Sequence, residues 1–197
     1  MTNQFDLLID SYLDNNIGID ANFLSEKLSD GLYENILQLQ RKGQMTAAGI
    51  GNNTIMDTNQ KMRSDKIYWM DKTHDNVYEQ VFLQLIENFI NRLNSTCYTG
   101  INAYEFHYAV YEKGSYYKRH KDQFKNDSNR KFSLISYLNK QWLDTDGGHL
   151  LTYQKEELQK TLPHAQTAVL FKSDELEHEV TMANRSRMSI TGWLKKI

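Results

Sequence analysis

The chain has 197 residues, of which 40% are hydrophobic and 12% aromatic, a composition that argues against disorder and is sufficient for one hydrophobic core. Its formal net charge of −2 at pH 7 gives no electrostatic basis for binding nucleic acid or an anionic membrane. The single cysteine, Cys97, excludes an internal disulfide, and the sequence predicts neither a signal peptide nor a membrane span. We therefore predict one domain over residues 1–197, located in the reducing cytoplasm.

The first half of the chain predicts helices that support a second structural layer. Apolar residues at three-to-four spacing predict one helix over about 21–41, ended by Lys42 and Gly43, and another over about 75–94, capped by Thr73 or Asp75. The expected apolar stripes comprise Phe23, Leu24, Leu28, Leu32, Ile36 and Leu39 in the first helix, and Val77, Val81, Phe82, Leu85, Phe89 and Leu93 in the second.

The connection between these helices, residues 42–71, is rich in Gly, Asn and Thr and has no sustained period before residue 66. A connection of this length is uncommon unless it is functional or mobile. We interpret it as a substrate-facing loop or ribbon within a mainly helical region over 1–100. A surface excursion without a function is the alternative.

The second half, residues 101–197, predicts a β structure. Short alternating runs separated by turn-forming clusters such as "KNDSN" and "DTDGG" are typical of an antiparallel sandwich or jelly roll. The predicted strands cover 104–112, 131–138, 149–153, 166–171, 178–182 and 187–194. The expected fold class is therefore α+β, with N-terminal helices packed on a jelly-roll core.

The segment "YYKRHKDQF" suggests a metal site, because residues two apart in a strand project from the same face. His120 and Asp122 have this spacing, and His178 in "ELEHEV" is the best placed third ligand. Two histidines and one carboxylate form the facial triad of non-haem Fe(II) oxygenases, with three positions left open. Zinc accepts the same ligands together with water, so the triad alone does not identify the metal.

Arg187 bears on that choice. In the last predicted strand, Arg187 shares a face with Ser189, Thr191 and Trp193, whereas Met188, Ile190 and Leu194 share the other face. If the Arg187 face lines the interior, the guanidinium requires an anion, since burying an unpaired charge costs several kcal/mol. The anion is either an Asp or Glu of the protein or the carboxylate of a cosubstrate, which suits the fork of an arginine.

Taken together, these segments resemble the 2-oxoglutarate- and Fe(II)-dependent dioxygenases, specifically the prolyl hydroxylase branch with the oxygen-sensing enzymes and their bacterial relatives. The resemblance covers roughly residues 45–194, and its blocks follow the order of the family. They are "MRSDKIYW" (62–69), "YAVYEKGSYYKRHKD" (108–122), "RKFSLISYLNKQW" (130–142), "DGGHLLTY" (146–153), "FKSDELEHEV" (171–180) and "RMSITGW" (187–193).

The resemblance implies a double-stranded β-helix core and the cofactors Fe(II), 2-oxoglutarate and O2, with ascorbate as a candidate reductant. It implies that His120, Asp122 and His178 ligate the iron. Arg187 would hold the far carboxylate of 2-oxoglutarate, and the Tyr137 hydroxyl would donate to the same group. An arginine at position 187, where collagen-type prolyl hydroxylases use lysine, favours the oxygen-sensor-like branch.

Further positions match the family around this centre. Tyr111 would approach the cosubstrate near the metal, Leu150 would wall its pocket, and Thr191 would support the carboxylate end. The positions expected near the peptide substrate are Arg63, Asp65, Arg130 and Trp193. The sequence departs from the family at two places. The turn between Tyr111 and His120 is one residue shorter than in the oxygen-sensing enzymes, which affects the expected position of Tyr111. The segment "KNDSN" (125–129) lies where relatives vary, so the resemblance implies no substrate specificity there.

The resemblance implies hydroxylation of prolyl residues in a protein, for which a translation factor such as elongation factor Tu is a candidate. The same chemistry on a free amino acid or other small molecule is the main alternative, and a non-catalytic jelly-roll binding module is a remote one. We read His74, His107 and His164 as structural residues.

Overall fold

The structure is a computed structural model that describes residues 3–49, 62–123, 128–154 and 157–197. Over these residues the chain forms three α-helices and eleven strands. The helices are α1 (Asp6–Asn15), α2 (Glu26–Arg41) and α3 (Val77–Cys97). None of the described helices is both long and apolar enough to span a membrane.

The strands form two antiparallel sheets. In chain order they are β1 (Ile17–Asp20), β2 (Thr46–Ala47), β3 (Lys66–Trp69), β4 (Ala103–Tyr111), β5 (Tyr117–His120), β6 (Arg130–Tyr137), β7 (Leu150–Gln154), β8 (Glu157–Thr161), β9 (Ala168–Lys172), β10 (Glu177–Val180) and β11 (Arg187–Lys195). The larger sheet has the order β1-β9-β6-β11-β4-β3-β2 and the smaller one β5-β10-β7-β8. This α+β architecture confirms the predicted fold class, and each of the six predicted strands is present.

The two faces of the larger sheet have different partners. Its outer face packs on the helices, where Ile190 and Leu194 of β11 share one apolar cluster with Leu32 of α2 and Phe82 of α3. Its inner face turns toward the smaller sheet, and Arg187 and Thr191 line a cavity together with His120 and His178. The alternation predicted for β11 therefore separates the core from the cavity.

The helices differ in detail from the sequence prediction. α2 begins at Glu26 rather than near 21, because the Ser25 side chain accepts a hydrogen bond from Leu28 N and caps the helix there. In α3 the capping residue is Asn76, so the expectation of Thr73 or Asp75 was wrong. The predicted α3 stripe was also partly wrong, since Val77 and Val81 are exposed.

The predicted substrate-facing segment 42–71 is described only in part. β2 and β3 pair with each other, and β3 also pairs with β4. Residues 50–61 of that segment lie outside the described residues. The segment thus adds two strands to the edge of the larger sheet, beside the cavity lined by Arg63.

Candidate active site

His120, Asp122 and His178 meet at the entrance between the two sheets. His120 ends β5, Asp122 follows it by two residues, and His178 of β10 is the cross-strand partner of His120. One potential ligand atom from each residue lies within 4.8 Å of the others. His120 Nε2 is 3.4 Å from Asp122 Oδ1, and His178 Nε2 is 3.7 Å from Asp122 Oδ2. Adjacent corners of an octahedron with bonds of about 2.1 Å are about 3 Å apart, so these separations fit one metal ion.

The hydrogen bond of His120 leaves its other ring nitrogen free to face a metal. His120 Nδ1 is 2.6 Å from the Lys118 carbonyl oxygen. Because a carbonyl oxygen can only accept a hydrogen bond, Nδ1 carries the proton and donates it. Its Nε2 therefore keeps a lone pair, and this buried atom has no hydrogen-bond partner among the described residues. A carbonyl that fixes the tautomer of a histidine is the usual support of a metal ligand.

The charge states of the cluster also suit a metal. Burial lowers the pKa of His178 to about 4, so its imidazole is neutral at physiological pH. Burial alone would raise the pKa of Asp122, but His178, His120 and the Ser133 hydroxyl together hold that pKa below its usual range. An ionised carboxylate beside a neutral imidazole is the protonation state that metal binding requires.

Contacts behind Asp122 hold the carboxylate in place. Ser133 of β6 donates a hydrogen bond of 2.6 Å to Asp122 Oδ2, and Arg130 donates one of 3.1 Å to the Asp122 carbonyl. The Arg130 guanidinium also pairs with Glu105 at 2.8 Å and lies 3.4 Å from the ring centroid of Trp193. Arg130, predicted to lie near the substrate, therefore lies behind the metal cluster with its charge already paired.

A stack of three side chains supports His120 on its other side. The Tyr117 ring lies 3.6 Å from the His120 ring at 15°, and the Arg63 guanidinium lies 4.4 Å from the Tyr117 centroid. Arg63 is itself paired with the buried Asp65 through two hydrogen bonds. Arg63 thus lines the cavity, whereas Asp65 holds Arg63 from behind.

Arg187 lies at the opposite end of the cavity and is 1% exposed. Its Nε donates a hydrogen bond of 2.8 Å to the Gly148 carbonyl, and its Nη1 is 3.3 Å from Ser189 Oγ. Within the described residues it forms no salt bridge. A buried guanidinium without a carboxylate partner favours an anionic ligand over a structural ion pair.

Gly148 makes this approach of Arg187 possible. Its φ is +61°, and a Cβ built on it would lie 2.9 Å from Arg187 Cδ. Any other residue would therefore combine a strained backbone with a clash against the arginine. The paired glycines are visible in the sequence, but their contact with Arg187 depends on the packing of the two sheets.

Aromatic residues surround the guanidinium. Arg187 Cζ lies 4.8 Å from the ring centroid of Tyr111 and 5.0 Å from that of Tyr137. Burial raises the pKa of Tyr137 to about 12, so its hydroxyl remains a hydrogen-bond donor. That buried oxygen has no hydrogen-bond partner in the described part of the chain. Arg187 and Tyr137 therefore both present unused donors for an anion.

The predicted cosubstrate residues lie in two layers. Tyr111, Thr191 and Arg187 line the cavity itself. Tyr137 and Leu150 belong to the adjoining apolar cluster, which reaches the cavity through Ile135. Trp193, predicted to lie near the substrate, lines the cavity at the metal end.

The cavity also contains residues that the sequence analysis did not assign to it. They are His107, Tyr117, Ile135 and Val180. The sequence predicts a structural role for His107, because a single histidine in a strand carries no chemical signal. Of the other two histidines read in this way, His74 forms a 2.8 Å pair with the buried Glu79, and His164 is exposed.

Comparisons with known proteins found one matching family model and several similar solved structures. Residues 106–195 match the model of the 2OG-Fe(II) oxygenase superfamily. These residues include the three candidate metal ligands and Arg187.

Solved structures resemble the whole chain. A prolyl-4-hydroxylase from Pseudomonas putida is 27% identical, with a TM-score of 0.88 over 98% of this chain and 99% of that one. A prolyl hydroxylase from Trichoplax adhaerens, solved with a peptide fragment of the hypoxia inducible factor oxygen degradation domain, is 26% identical, with a TM-score of 0.86 over 97% of this chain and 88% of that one. A prolyl 4-hydroxylase from Phytophthora capsici, 16% identical with a TM-score of 0.76, shares the fold over 98% of this chain and 64% of that one.

Proposed function

We propose that this chain is a member of the prolyl hydroxylase branch of the 2OG-Fe(II) oxygenase superfamily and that it hydroxylates prolyl residues in a protein substrate. The observation that carries the proposal is the presence, in one cavity, of a metal-binding cluster and a buried arginine without a carboxylate partner. Fe(II) and 2-oxoglutarate require these two features at opposite ends of one site.

One group of residues would hold the metal and orient its ligands. When bound, Fe(II), 2-oxoglutarate and O2 supply the oxidising power that inserts one oxygen atom into a C–H bond, with succinate and CO2 released. His120, Asp122 and His178 would hold the metal from one side and leave the cavity side for the cosubstrate and O2. The stack of Tyr117 on His120 and the Ser133 hydrogen bond to Asp122 keep two of these ligands oriented before the metal binds.

The far end of the cavity would bind the cosubstrate carboxylate. Arg187 provides the charge, Tyr137 donates a hydrogen bond from its hydroxyl, and Thr191 lines the same wall. Tyr111, which is beside the guanidinium, would approach the cosubstrate on its way to the metal, and Leu150 closes the apolar side. Because Arg187 would hold the far carboxylate, the reacting end of the cosubstrate would be positioned at the metal.

The substrate is proposed from the relatives and from the rim of the cavity. Two structures that resemble the whole chain are prolyl hydroxylases, and one of them was solved with a peptide. Arg63 and Trp193 line the cavity on the side of β3, where a polypeptide could lie. Elongation factor Tu is the first purified protein to test, an expectation that rests on the family resemblance. We further propose one domain that acts in the cytoplasm, where Fe(II) remains reduced.

The test measures succinate formed from 2-oxoglutarate with added Fe(II) and O2, with and without dialysed soluble protein from cells. We expect the protein to stimulate succinate formation and to gain the mass of one oxygen atom on a proline. His120→Ala and Arg187→Ala should abolish both signals. Arg41→Ala, an exposed arginine at the end of α2, is the matched control and should behave as wild type.

Other outcomes would identify the alternatives. Stimulation by free amino acids but not by dialysed protein would indicate a small-molecule hydroxylase. A protein that binds the metal but forms no succinate under any condition would indicate a binding module and would refute the proposal.

A further inference from the structure

His107 is an unused polar group within the candidate active site. It lies on β4, lines the cavity together with the metal ligands and Arg187, and is 2% exposed. Its Nδ1 is buried without a hydrogen-bond partner among the described residues. Buried polar groups without a partner are rare and costly, which directs attention to a ligand that supplies the missing hydrogen bond.

Two tryptophans hold the imidazole in place without satisfying it. The His107 ring lies 4.9 Å from the Trp69 ring and 5.5 Å from the Trp193 ring. These contacts pack against the ring but use neither of its nitrogens. Trp193 also lacks a hydrogen bond, since its indole Nε1–H is buried and has no acceptor in the described part of the chain. Each of the two neighbouring rings therefore has a buried nitrogen that the described residues leave without a partner.

The imidazole is neutral, which decides what kind of ligand it suits. Burial lowers the pKa of His107 to about 3, and the nearby Arg63 adds to this effect. A neutral histidine provides one N–H donor and one acceptor and has no charge to attract a carboxylate. A neutral oxygen such as a peptide carbonyl is thus a better match than the carboxylates of the cosubstrate.

The position of His107 places this ligand on the entrance side of the cavity. Tyr111 is the cross-strand partner of Arg187, whereas His107, four residues earlier on β4, is the partner of Thr191 and of Trp69. Trp69 is 46% exposed, so His107 lies between solvent and the interior, away from the guanidinium. His107 therefore lies near Thr191 and Trp193 of β11 rather than beside Arg187.

We propose that His107 and the indole N–H of Trp193 form a substrate-positioning pair that binds a backbone carbonyl of the incoming polypeptide. This inference rests on the proposed function, because it assigns a contact to the protein substrate of that reaction. It gives His107 a role in the apparent affinity for the polypeptide and none in holding the metal or the cosubstrate.

The test compares His107→Leu, which removes both nitrogens at similar size, with His107→Asn, which retains a hydrogen-bonding group. His164→Leu, the same change at an exposed histidine, is the control. Succinate formation is measured against the concentration of dialysed soluble protein and, separately, against 2-oxoglutarate without added protein. The thermal unfolding midpoint of each variant is measured as well.

We expect His107→Leu to raise the half-saturating concentration of the protein pool about three- to tenfold, the loss of one or two neutral hydrogen bonds. His164→Leu should match wild type in basal turnover and in both concentration dependences, and the KM for 2-oxoglutarate of His107→Leu should equal that of wild type. The unfolding midpoint should stay the same or rise, because an unsatisfied buried polar group has been removed. His107→Asn should restore part of the affinity.

Three results would overturn the inference. The first is that His107→Leu needs the same concentration of dialysed soluble protein for half-maximal succinate formation as wild type. The second is a raised KM for 2-oxoglutarate in that variant. The third is a fall in its unfolding midpoint large enough to explain the weaker response to protein. Failure of the proposed function would look different, because wild type itself would then show no succinate that depends on protein.

Discussion

Arg187 shows how the proposed function of this protein can act against its stability. The side chain is almost wholly buried, and its hydrogen bonds go to a backbone carbonyl and a serine hydroxyl rather than to a carboxylate. A charge in the interior is expensive unless it is paired, so the ligand-free protein is less stable than it could be. Sites kept in this state for binding are a common source of stability–activity trade-offs.

Replacing Arg187 by methionine should therefore separate the two properties. Without ligand, Arg187→Met should unfold at the same temperature as wild type or higher. With Mn(II) as a redox-stable metal, 2-oxoglutarate at 100 times its Kd should stabilise wild type by about 2.7 kcal/mol but leave the variant unchanged. Thermal unfolding with and without 2-oxoglutarate measures both effects. A variant that is still stabilised by 2-oxoglutarate would contradict the role of Arg187.

The ring of Tyr117 should matter for the metal. Because it stacks on His120 at 3.6 Å and is held by Arg63, losing the ring would free His120 to rotate. Tyr117→Leu should weaken Mn(II) binding about tenfold, the usual cost of removing the support of a metal ligand. Tyr117→Phe keeps the ring and should bind the metal as wild type does. Isothermal titration of both variants is the measurement, and equal affinities would show that the stack is irrelevant.

Residue roles were predictable only where the sequence carries a local rule. The spacing of His120 and Asp122 and the alternation on β11 follow from strand geometry, and the structure brings these residues together. His107 has no such rule, because its place in the cavity depends on the register of β4 against β3 and β11. No local pattern specifies which residues face each other across separate strands.

At the scale of elements, α3 shows why helix boundaries are difficult to predict. The sequence "THDN" (73–76) offers three possible capping residues before the helix. Thr73 donates hydrogen bonds from its backbone N–H and its hydroxyl to the Asp71 carboxylate, and so its side chain does not cap the helix. Asn76 is left to accept from Tyr78 N and Glu79 N and becomes the cap.

Removing this cap should destabilise the whole domain, because α3 packs centrally against the larger sheet through Phe82 and Phe89. Asn76→Ala should lower the free energy of unfolding by about 1 kcal/mol, the usual cost of losing an N-cap. Asn76→Asp keeps an acceptor and adds a charge that suits the helix N-terminus, so it should retain wild-type stability. Urea unfolding of the two variants decides the matter. Equal loss in both would show that the amide acts by another contact.

At the scale of the molecule, long-range pairing determines what the sequence did not predict. The strand Ile17–Asp20 has only four residues and gives no alternation long enough to recognise, yet it completes the larger sheet by pairing with β9 more than 140 residues later. The jelly roll was predictable because β4, β6 and β11 are long, with eight or nine residues each, and turn residues separate its strands.

The buried tyrosines should make the whole molecule sensitive to alkali. Burial raises the pKa of Tyr137 and of Tyr117 to about 12, and it raises the pKa of Tyr108 and Tyr111 as well. In the unfolded chain these phenols lose their protons near pH 10, so the folded state binds more protons from about pH 10 to 12. Stability must therefore fall as pH rises through this window, by about 1.4 kcal/mol per pH unit for each tyrosine.

Tyr137→Phe tests this explanation without removing a hydrogen bond, since the Tyr137 hydroxyl has no partner among the described residues. Denaturant unfolding of wild type and variant between about pH 9 and 11 gives the slope of stability against pH. The variant should lose one tyrosine's share of the slope above pH 10 and match or exceed wild type near pH 8. An unchanged slope would mean that Tyr137 titrates in the folded protein as it does in water, in contradiction to its burial beside Arg187.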